Sequence, residues 1–354
     1  MNVSPRILII RLGALGDILH TLPAFLDLRE AFPNSSIDWL AARKSRFLLE
    51  AIRGIHTLHV LDTDSLLRFP VDRSAWHQFL NLIRGLRARH FDFALDFQGL
   101  LKTAALGSMT GSRTRIGFSK ELVRERPAHW FYHRTLKKPA KQVHVLVQNQ
   151  MLAELTGAHR ISCAPIDFSV TGDDYRYVDS LLSHDRLDDF VVINPGGGWP
   201  TKMWNAERYG KLARKIRAEL GIPVVVTTGP GEEALFKTIA EFSGEPVPAH
   251  LHMSFLQLIP LFRKARLLIG GDTGPFHLAC ALGTAVVGIF GPTSAVRNGP
   301  WSDSDEVVTQ ALQCGPCYGR TCSKNNECMD IAVDVVFAAV LRRLEMRSAS
   351  NASL

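Results

Sequence analysis

Short apolar runs alternate with amphipathic stretches through the first half of the 354-residue chain. Strands are predicted at Arg6–Ile10, Ile37–Ala41, Leu58–Leu61 and Phe91–Asp96. Continuous apolar runs of this length are typical of parallel strands that are covered on both faces. Helices are predicted between and after them at Asp17–Phe32, Ser45–Ile52, Ala75–Arg89 and Val143–Leu155. In the first of these, Pro23 either kinks the helix or marks a late start after Thr21. This alternation indicates an α/β half that is built on a parallel sheet.

The same alternation resumes after a polar connector at residues 169–189. Strands are predicted at Phe190–Asn194, Val224–Thr228, Leu267–Ile269 and Ala285–Phe290. Helices are predicted at Glu232–Phe242, Leu256–Phe262 and Pro275–Leu282, and a further helix is predicted to begin after an N-cap at Asn205. Ser254 and Gln257 have the spacing of a capping box before the helix at Leu256–Phe262. We therefore expect two Rossmann-like α/β domains, residues 1–168 and 169–330, facing each other across a ligand cleft.

Three glycine-containing turns follow predicted strands of the second half, at residues 196–198, 229–231 and 270–274. Such turns, together with a helix N-terminus, offer unpaired N–H groups and a positive dipole end to an anion. Lys202, four residues after the triple glycine, could reach a phosphate there. Neither a Walker loop nor a G-x-G-x-x-G turn in its required setting is present. The turns favour a nucleotide that departs as a diphosphate; the alternative is that Asp272 only caps a helix.

The positive charge is concentrated in the first half. Residues 1–160 contain 23 Lys and Arg against 13 Asp and Glu, a net charge of +10, whereas residues 161–354 carry −3. An anionic partner of the first half is expected, although a merely soluble surface is the alternative. Nucleic acid is disfavoured because the basic residues are not interleaved with aromatic ones. A non-catalytic nucleotide-binding protein is the rival from a different functional class.

Neither a membrane span nor a secretory signal is predicted. No uninterrupted apolar run approaches the roughly 18–20 residues that a spanning helix needs. The first 17 residues include Arg11 and Asp17 and contain no cleavage pattern. We expect a cytoplasmic protein.

Four cysteines are spaced C-x2-C-x4-C-x5-C, at Cys314, Cys317, Cys322 and Cys328. Four thiolates could hold zinc or an iron–sulfur cluster in a cytosolic protein. However, the spacing lacks the paired C-x2-C motifs of a zinc ribbon. A metal site, a disulfide and simple thiols all remain open, and we expect no metal in the catalytic chemistry.

Four motifs resemble those of family 9 glycosyltransferases, the heptosyltransferases of lipopolysaccharide inner-core assembly. The stretch GGDTGPFHLACALGTAVVGIFGPT is similar to the family's D-T-G-x-x-H signature, with Asp272, Thr273, Gly274 and His277 in place. The stretches RLGALGDILHTLPAF, DFQGLLKTA and KMWNAERY also match, in the family's order, and the likeness spans residues 6–345. The resemblance implies two domains of the GT-B type. It also implies that the last helix, within residues 331–347, crosses back to the first domain.

The resemblance implies inverting transfer from ADP-L-glycero-β-D-manno-heptose, a substrate; no cofactor is expected. Inversion requires a base that deprotonates the acceptor hydroxyl, and Asp17 is the candidate, with helix capping as its alternative role. Lys202 would stabilise the departing diphosphate. Glu232 or Glu233 suits the ribose diol, and His277 could equally be a packed core histidine. The predicted donor-binding residues are Gly197, Gly198, Lys202, Glu232, Glu233, Asp272, Thr273, Gly274 and His277.

The acceptor is expected on the basic half, because Kdo carboxylates and lipid A phosphates require Lys and Arg. The predicted acceptor-binding residues are Gly13, Gly16, Arg43, Lys102, Arg115 and Arg124. QGLLKTAAL and RERPAHWFYHR most resemble heptosyltransferase I, which uses a Kdo residue attached to lipid A; heptosyltransferases II and III, which use a heptose acceptor, are the alternative. An anionic membrane surface is an expected partner, with peripheral attachment to the cytoplasmic face of the inner membrane.

Overall fold

The computed structural model describes residues 4–66, 73–161 and 165–351. The chain divides into two compact units. The first holds the described residues up to 161 together with 167–169, and the second holds 165–166 and the residues from 170 onward. The change of unit therefore falls within a few residues of the boundary proposed between 168 and 169.

The first unit contains six strands and seven α-helices among its described residues. The strands are β1 (Arg6–Ile10), β2 (Ser36–Ala42), β3 (Thr57–Leu61), β4 (Phe93–Asp96), β5 (Thr114–Phe118) and β6 (Arg134–Leu136). The helices are α1 (Leu15–Leu19), α2 (Leu22–Ala31), α3 (Arg46–Glu50), α4 (Thr63–Leu66), α5 (Arg73–Ala88), α6 (Leu101–Met109) and α7 (Val145–Glu154).

All six strands of the first sheet are parallel, in the order β3-β2-β1-β4-β5-β6. This is the order of a dinucleotide-binding sheet, in which the chain reverses its direction of growth between the first and fourth strands. Ile10 at the end of β1 pairs with Leu40 of β2 and with Asp96 of β4. The loops after β1 and β4 therefore leave the same edge of the sheet side by side.

The second unit repeats this plan with six strands and seven α-helices among its described residues. The strands are β7 (Val191–Asn194), β8 (Val224–Thr228), β9 (Ala249–His252), β10 (Leu267–Gly271), β11 (Val286–Phe290) and β12 (Glu306–Thr309). The helices are α8 (Gly172–His184), α9 (Ala206–Leu220), α10 (Glu233–Ser243), α11 (Leu258–Lys264), α12 (Gly274–Leu282), α13 (Ala295–Asn298) and α14 (Val333–Asn351).

The second sheet is also parallel, and its order is β12-β11-β10-β7-β8-β9. Its first and fourth strands, β7 and β10, are neighbours, just as β1 and β4 are. Gly270 of β10 pairs with Asn194, the last residue of β7. Both units thus place a topological switch point at the carboxyl ends of their central strands, the position where open α/β sheets bind ligands.

The predicted α/β fold class is confirmed, and most predicted elements agree with the structure to within a few residues. The helix predicted at Asp17–Phe32 is divided into α1 and α2, with Pro23 in the first turn of α2. The polar connector contains α8, whose N-terminus is closed by a capping box between Thr171 and Asp174. Strands β5, β6, β9 and β12 were not predicted, because polar or charged residues interrupt the apolar run of each.

The C-terminal helix α14 is assigned to the second unit. It packs against α9, β11 and β12 of that unit. Val336, Phe337 and Val340 are buried in the same apolar cluster as Leu212 and Val287. Its apolar face is thus covered by the second sheet and by α9.

Candidate functional site

The loop after β1 presents Asp17 beside two arginines. Asp17 is the third residue of α1, and its Oδ2 lies 2.6 Å from Nη2 of Arg11 and 3.8 Å from Nη2 of Arg124. The N–H of Ala14 reaches the same oxygen at 3.4 Å. The side chain of Asp17 is 24% exposed, whereas that of Arg11 is buried. A buried guanidinium therefore orients a carboxylate that solvent can still reach.

The loop after β4 supports the loop after β1 through Asp96 and Gln98. The backbone N–H of Leu12 donates to Oε1 of Gln98 at 3.0 Å, and Arg11 Nη1 donates to the carbonyl of Phe97. Asp96 is buried and accepts hydrogen bonds from the N–H of Gln98 (2.8 Å) and from Oγ1 of Thr103 (2.7 Å). Burial raises the pKa of Asp96 despite these donors. The two loops at this switch point are thus tied to each other.

Asp272 is the centre of the corresponding site in the second unit. Its Oδ2 accepts hydrogen bonds from Nζ of Lys202 at 2.7 Å and from Nδ2 of Asn298 at 3.2 Å. Its Oδ1 lies 2.8 Å from Nε2 of His277. The side chain of Asp272 is only 6% exposed. It is therefore a buried carboxylate that holds three polar side chains in place.

The electrostatics of this cluster favour an ionised Asp272. Burial raises its pKa, but the hydrogen bonds and charges of His277 and Lys202 more than offset this effect and hold the pKa well below its usual value. An ionised carboxylate only accepts hydrogen bonds, so Nε2 of His277 is the donor in their contact. Lys202 Nζ also donates to the carbonyl of Asp272 at 3.3 Å and lies 4.2 Å from the centre of the Trp199 ring. The ammonium of Lys202 is therefore held in a fixed position by Asp272 and the Trp199 ring.

The triple-glycine loop after β7 lies against Glu232. The N–H of Gly229 donates to Glu232 Oε2 at 2.7 Å. A Cβ atom at Gly196 would lie only 2.4 Å from the Glu232 carboxylate, so only glycine allows this approach. Glu233, by contrast, is exposed and accepts the N–H of Gly231 at 3.3 Å. Of the two ribose candidates, Glu232 is the one that adjoins the glycine loop.

Helix α12 begins at the switch point directly after Asp272. Thr273 is its N-cap, and Oγ1 of Thr273 accepts the N–H of Phe276 at 3.3 Å. Gly274 is the first helical residue, so its N–H is one of the orphan donors of the helix N-terminus. Thr273 Oγ1 also lies 3.5 Å from Oδ1 of Asn194, the last residue of β7. The N-terminus of α12 is thereby attached to the loop that carries Gly197 and Gly198.

The predicted donor residues Lys202, Asp272 and His277 are brought into direct contact, and the predicted acceptor residue Arg124 lies beside Asp17. A Cβ atom at Gly13 would lie 3.2 Å from Oγ of Ser45. Gly16 is the second residue of α1.

The other predicted acceptor residues, Arg43, Lys102 and Arg115, have different surroundings from those of Arg124. Arg43 forms an ion pair with Asp62 at 3.1 Å, and Arg115 Nε donates to the carbonyl of Phe131 at 2.6 Å. Lys102 is exposed on α6. The contacts of Arg115 thus indicate a structural role.

Four polar residues of these sites were not identified from the sequence, namely Arg11, Gln98, Asn194 and Asn298. The first three come at, or within two residues of, the end of an apolar strand. A polar residue at the carboxyl end of a buried strand is therefore the signal that could have identified them. Asn298 is at the end of α13, 26 residues beyond Asp272, and no local pattern marks it.

The four spaced cysteines lie in the loop between β12 and α14. They are free thiols; Cys314, Cys317 and Cys322 are exposed and Cys328 is half-buried. Burial and the neighbouring thiols raise the pKa of Cys328. Within residues 4–66, 73–161 and 165–351, no group of three or more His, Cys, Asp or Glu side chains is arranged to hold a metal ion.

The cysteine loop instead supports the segment that carries Lys202. Thr201 Oγ1 donates to the carbonyl of Gly319 at 2.7 Å, and the guanidinium of Arg320 lies 5.1 Å from the centre of the Trp199 ring. The N–H of Tyr318 donates to the carbonyl of Pro292 at 2.8 Å. The loop thus packs beside the Lys202 site and against the turn after β11.

Known proteins with similar sequences are lipopolysaccharide heptosyltransferases. The lipopolysaccharide core heptosyltransferase OpsX of Haemophilus influenzae is 25% identical over 308 residues, 85% of this chain and 83% of that protein. Lipopolysaccharide heptosyltransferase 1 of Escherichia coli K12 is 27% identical over 302 residues, 81% of this chain and 88% of that protein.

Solved structures show the same fold. E. coli heptosyltransferase WaaC with ADP matches with a TM-score of 0.75 and 23% identity, over 96% of this chain and 99% of that one. E. coli ADP-heptose lps heptosyltransferase II matches with a TM-score of 0.73 and 17% identity, over 97% and 99%. The fold is therefore that of the GT-B glycosyltransferases.

The model of glycosyltransferase family 9 (heptosyltransferase) matches residues 79–327. This range includes the switch point of the second unit with Lys202, Asp272 and His277, and the β4 loop of the first unit. The chain therefore belongs to glycosyltransferase family 9, the heptosyltransferase family, and is a glycosyltransferase.

Proposed function

We propose that this protein transfers L-glycero-D-manno-heptose from ADP-heptose to a Kdo residue of the lipopolysaccharide inner core, with inversion at the anomeric carbon. The main observation in support of this proposal is the Lys202–Asp272 pair at the switch point of the second unit. There a buried carboxylate holds an ammonium at 2.7 Å, beside the N-terminus of α12. The heptosyltransferase names of the relatives support heptose as the transferred sugar and lipopolysaccharide as the acceptor.

The second unit would bind the donor. The ammonium of Lys202 and the N–H groups at Thr273 and Gly274 would stabilise the negative charge that develops on the ADP diphosphate as it departs. Gly198, where a Cβ atom would meet open space, would allow a phosphate to approach closely, whereas Gly197 lies against Met203. Glu232 would accept the two ribose hydroxyls, because a carboxylate can accept from two donors. Asp272 and His277 would hold the Lys202 side chain in a fixed position relative to the N-terminus of α12.

The first unit would supply the base. Asp17 is a solvent-accessible carboxylate at the switch-point loop, which suits it to accept the proton of the attacking Kdo hydroxyl. Arg11 would orient this carboxylate from the buried side. Arg124, at 3.8 Å from Asp17 and 48% exposed, would bind a carboxylate or phosphate of the acceptor next to the base. Lys102 would extend this cationic surface.

The chemistry proposed here requires no metal cofactor. Departure of a nucleoside diphosphate requires positive charge beside the phosphates, and a metal ion is one way to supply it. Lys202 and the helix N-terminus supply the same kind of stabilisation from the protein itself. ADP-heptose is accordingly a substrate, and no additional group is required for the displacement at the anomeric carbon.

Mass spectrometry of two acceptors tests the function. Purified protein is incubated with ADP-heptose and either Kdo-lipid A or heptosyl-Kdo-lipid A. A mass increase of one heptose on Kdo-lipid A alone supports heptosyltransferase I activity. An increase on the heptosylated acceptor alone would assign the protein to heptosyltransferase II or III. If neither acceptor changes while ADP-heptose stays intact, the proposed function is wrong.

We also propose that the protein attaches peripherally to the cytoplasmic face of the inner membrane, where a lipid-linked acceptor is embedded. The net charge of +10 in residues 1–160 supports this proposal, because anionic lipid attracts basic surface residues. Among the described residues, no helix is long and apolar enough to cross a membrane. Attachment would therefore take place through the surface of the first unit.

A further inference from the structure

Trp130 is an exposed aromatic side chain on the first unit. It belongs to the 3₁₀ turn Arg126–Phe131 between β5 and β6, and 76% of the residue is exposed. Among the large apolar side chains that the structure describes, Val296 is the next most exposed, at 61%. The 3₁₀ turn packs against α6, whose first residue, Leu101, is also exposed.

The segment that carries Trp130 is firmly anchored on its inner side. Ala128 is fully buried, and Tyr132 Oη donates to the buried Asp96 at 2.7 Å. Arg115 Nε holds the carbonyl of Phe131. The ring of Tyr132 occupies the position where a side chain at residue 117 would begin, 2.4 Å from a Cβ atom placed there, and residue 117 is glycine. The structure therefore holds the indole of Trp130 outward on a fixed support.

The chain segment around this turn is strongly basic. Residues 119–141 contain seven Lys and Arg against two Glu. Lys120, Arg126 and Arg134 are all exposed. One of the two acids, Glu125, accepts the N–H of Leu101 at 2.7 Å and so has a structural partner at the start of α6. An exposed indole within a cationic surface is the combination that favours the interface of an anionic bilayer, because the ring lies among headgroups while the cations attract them.

We propose that the Trp130 turn is the membrane-docking element of this protein, with the indole entering the headgroup region of an anionic bilayer. The chemistry points to lipid because an exposed and firmly anchored aromatic side chain lies within a strongly basic segment of the chain. The inference rests on the proposed function insofar as the acceptor is a membrane glycolipid. Binding to the bilayer itself, however, requires no acceptor.

Sedimentation with vesicles that contain no glycolipid tests this proposal. Full-length protein is mixed with vesicles of phosphatidylglycerol and phosphatidylcholine, or of phosphatidylcholine alone. Wild-type protein is expected to sediment with the anionic vesicles. Trp130→Ala is expected to lower the partition coefficient by at least about tenfold, because it removes a large apolar surface from the interface. Brominated lipid should quench tryptophan fluorescence in the wild type, and Trp130→Phe should remove most of that quenching.

Trp76→Ala is the matched control, since Trp76 is also exposed on the first unit but lies on α5, where it stacks against Phe79. Its partition coefficient should remain within about twofold of wild type, and ADP binding by both variants should be unchanged. Wild-type protein that does not sediment, or Trp130→Ala protein that sediments like wild type, would overturn the proposal. A change of oligomeric state in Trp130→Ala with unaltered vesicle binding would overturn it as well, in favour of a protein partner. Heptose transfer without vesicle binding would refute the docking element and leave the proposed function intact.

Discussion

Asp17 and Asp272 both lie at the switch point of their unit, Asp17 after the first strand of its sheet and Asp272 after the fourth, and their surroundings differ. Each lies at the switch-point edge of a sheet with the same strand order, and each contacts a cationic side chain at 2.6–2.7 Å. Asp17 is 24% exposed and its close partner is a buried arginine, whereas Asp272 is 6% exposed and contacts Lys202, His277 and Asn298. One carboxylate is accessible to solvent, and the other is enclosed by protein partners.

The difference suggests how one topology supports two tasks. A general base must exchange a proton with a substrate hydroxyl, so it needs access to solvent and substrate. A positioning carboxylate must remain ionised and fix its neighbours, so burial with several donors suits it. The hydrogen bonds and charges that lower the pKa of Asp272 also make it a poor proton acceptor. This difference supports our proposal that the first unit carries out proton transfer and the second stabilises the diphosphate.

The largest effect is expected for Asp17→Asn, which retains the shape of the side chain and removes its basicity. Turnover should fall by about 10²–10⁴-fold, the usual contribution of a general base. ADP binding should stay within a few-fold, since we propose that the nucleotide binds to the second unit. Steady-state kinetics and calorimetric ADP titration measure the two quantities.

Asp92→Asn is the matched control for this prediction. Asp92 is a first-unit carboxylate that is partly exposed and paired with Arg113 at 3.4 Å, but it lies outside the switch-point loops. Its turnover should be close to wild type. Near-normal turnover by Asp17→Asn would mean that Asp17 is not the base and only stabilises the first turn of α1.

Lys202→Ala should lower turnover by at least about 10²-fold, because it removes one donor from the departing diphosphate. ADP binding should weaken as well, in contrast to Asp17→Asn. Lys215→Ala is a suitable comparison, since Lys215 is an ion-paired lysine of the same unit that contacts Asp334 on the surface. Unchanged kinetics in Lys202→Ala would mean that the Lys202–Asp272 pair is structural only.

Asp272→Asn should chiefly reduce stability. Removing one partner from a buried ion pair costs about 3–5 kcal/mol, and urea unfolding at neutral pH should show a loss of this order. Asp330→Asn, which breaks a more exposed pair with Arg208, should cost at most about 1 kcal/mol. Equal losses in the two variants would remove the distinction between the buried and exposed carboxylates.

The pH dependence of stability gives a second test of Asp272. Its folded-state pKa lies below the unfolded value of about 3.9, so its contribution is fully present well above pH 4 and is lost as the pH falls towards the folded-state pKa. Wild-type protein should therefore lose more stability than Asp272→Asn between pH 5 and pH 2.5. Parallel curves for the two proteins would contradict the lowered pKa.

The sequence predicts the second switch point better than the first, for a physical reason. Around Asp272 the chemistry is local, because the strand, the glycine turn and the helix N-terminus that carry Thr273 and His277 are contiguous. Asn298 was missed because it approaches Asp272 from a separate short helix, which only tertiary packing brings near. Lys202 was identified because it follows a glycine loop and lies in the KMWNAERY motif.

In the first unit the relevant contacts are long-range. Gln98 reaches Leu12 across 86 residues, and Arg124 approaches Asp17 from the loop after β5. Strands β5 and β6 were missed because they are short and carry charged residues such as Arg115 and Arg134. Without these strands, the sequence could not distinguish Arg124, which lies at the site, from Arg115, which supports the turn that carries Trp130.

The charge difference between the two units predicts different salt responses for the two substrates. The KM for an anionic glycolipid acceptor should rise about fivefold or more between low and high salt, because the Debye length falls from about 10 Å at 0.1 M to about 3 Å at 1 M. The KM for ADP-heptose should change much less, since its proposed contacts with Lys202 and the backbone are close. Equal salt dependence of the two values would show that the basic first unit is only a soluble surface.

The smallest effect is expected for the sulfur atoms of the cysteine loop. The loop contacts the Lys202 segment through the carbonyl of Gly319 and the guanidinium of Arg320, and neither contact involves sulfur. Cys317→Ser and Cys322→Ser should therefore keep turnover within about threefold of wild type, whereas Arg320→Ala should have a larger effect because it removes a cation from the Trp199 ring. Elemental analysis should find substoichiometric zinc and iron. One equivalent of either metal, lost together with folded structure on chelation, would add a structural metal centre beside the proposed donor site. The Lys202 site would then depend on that metal as well as on Asp272.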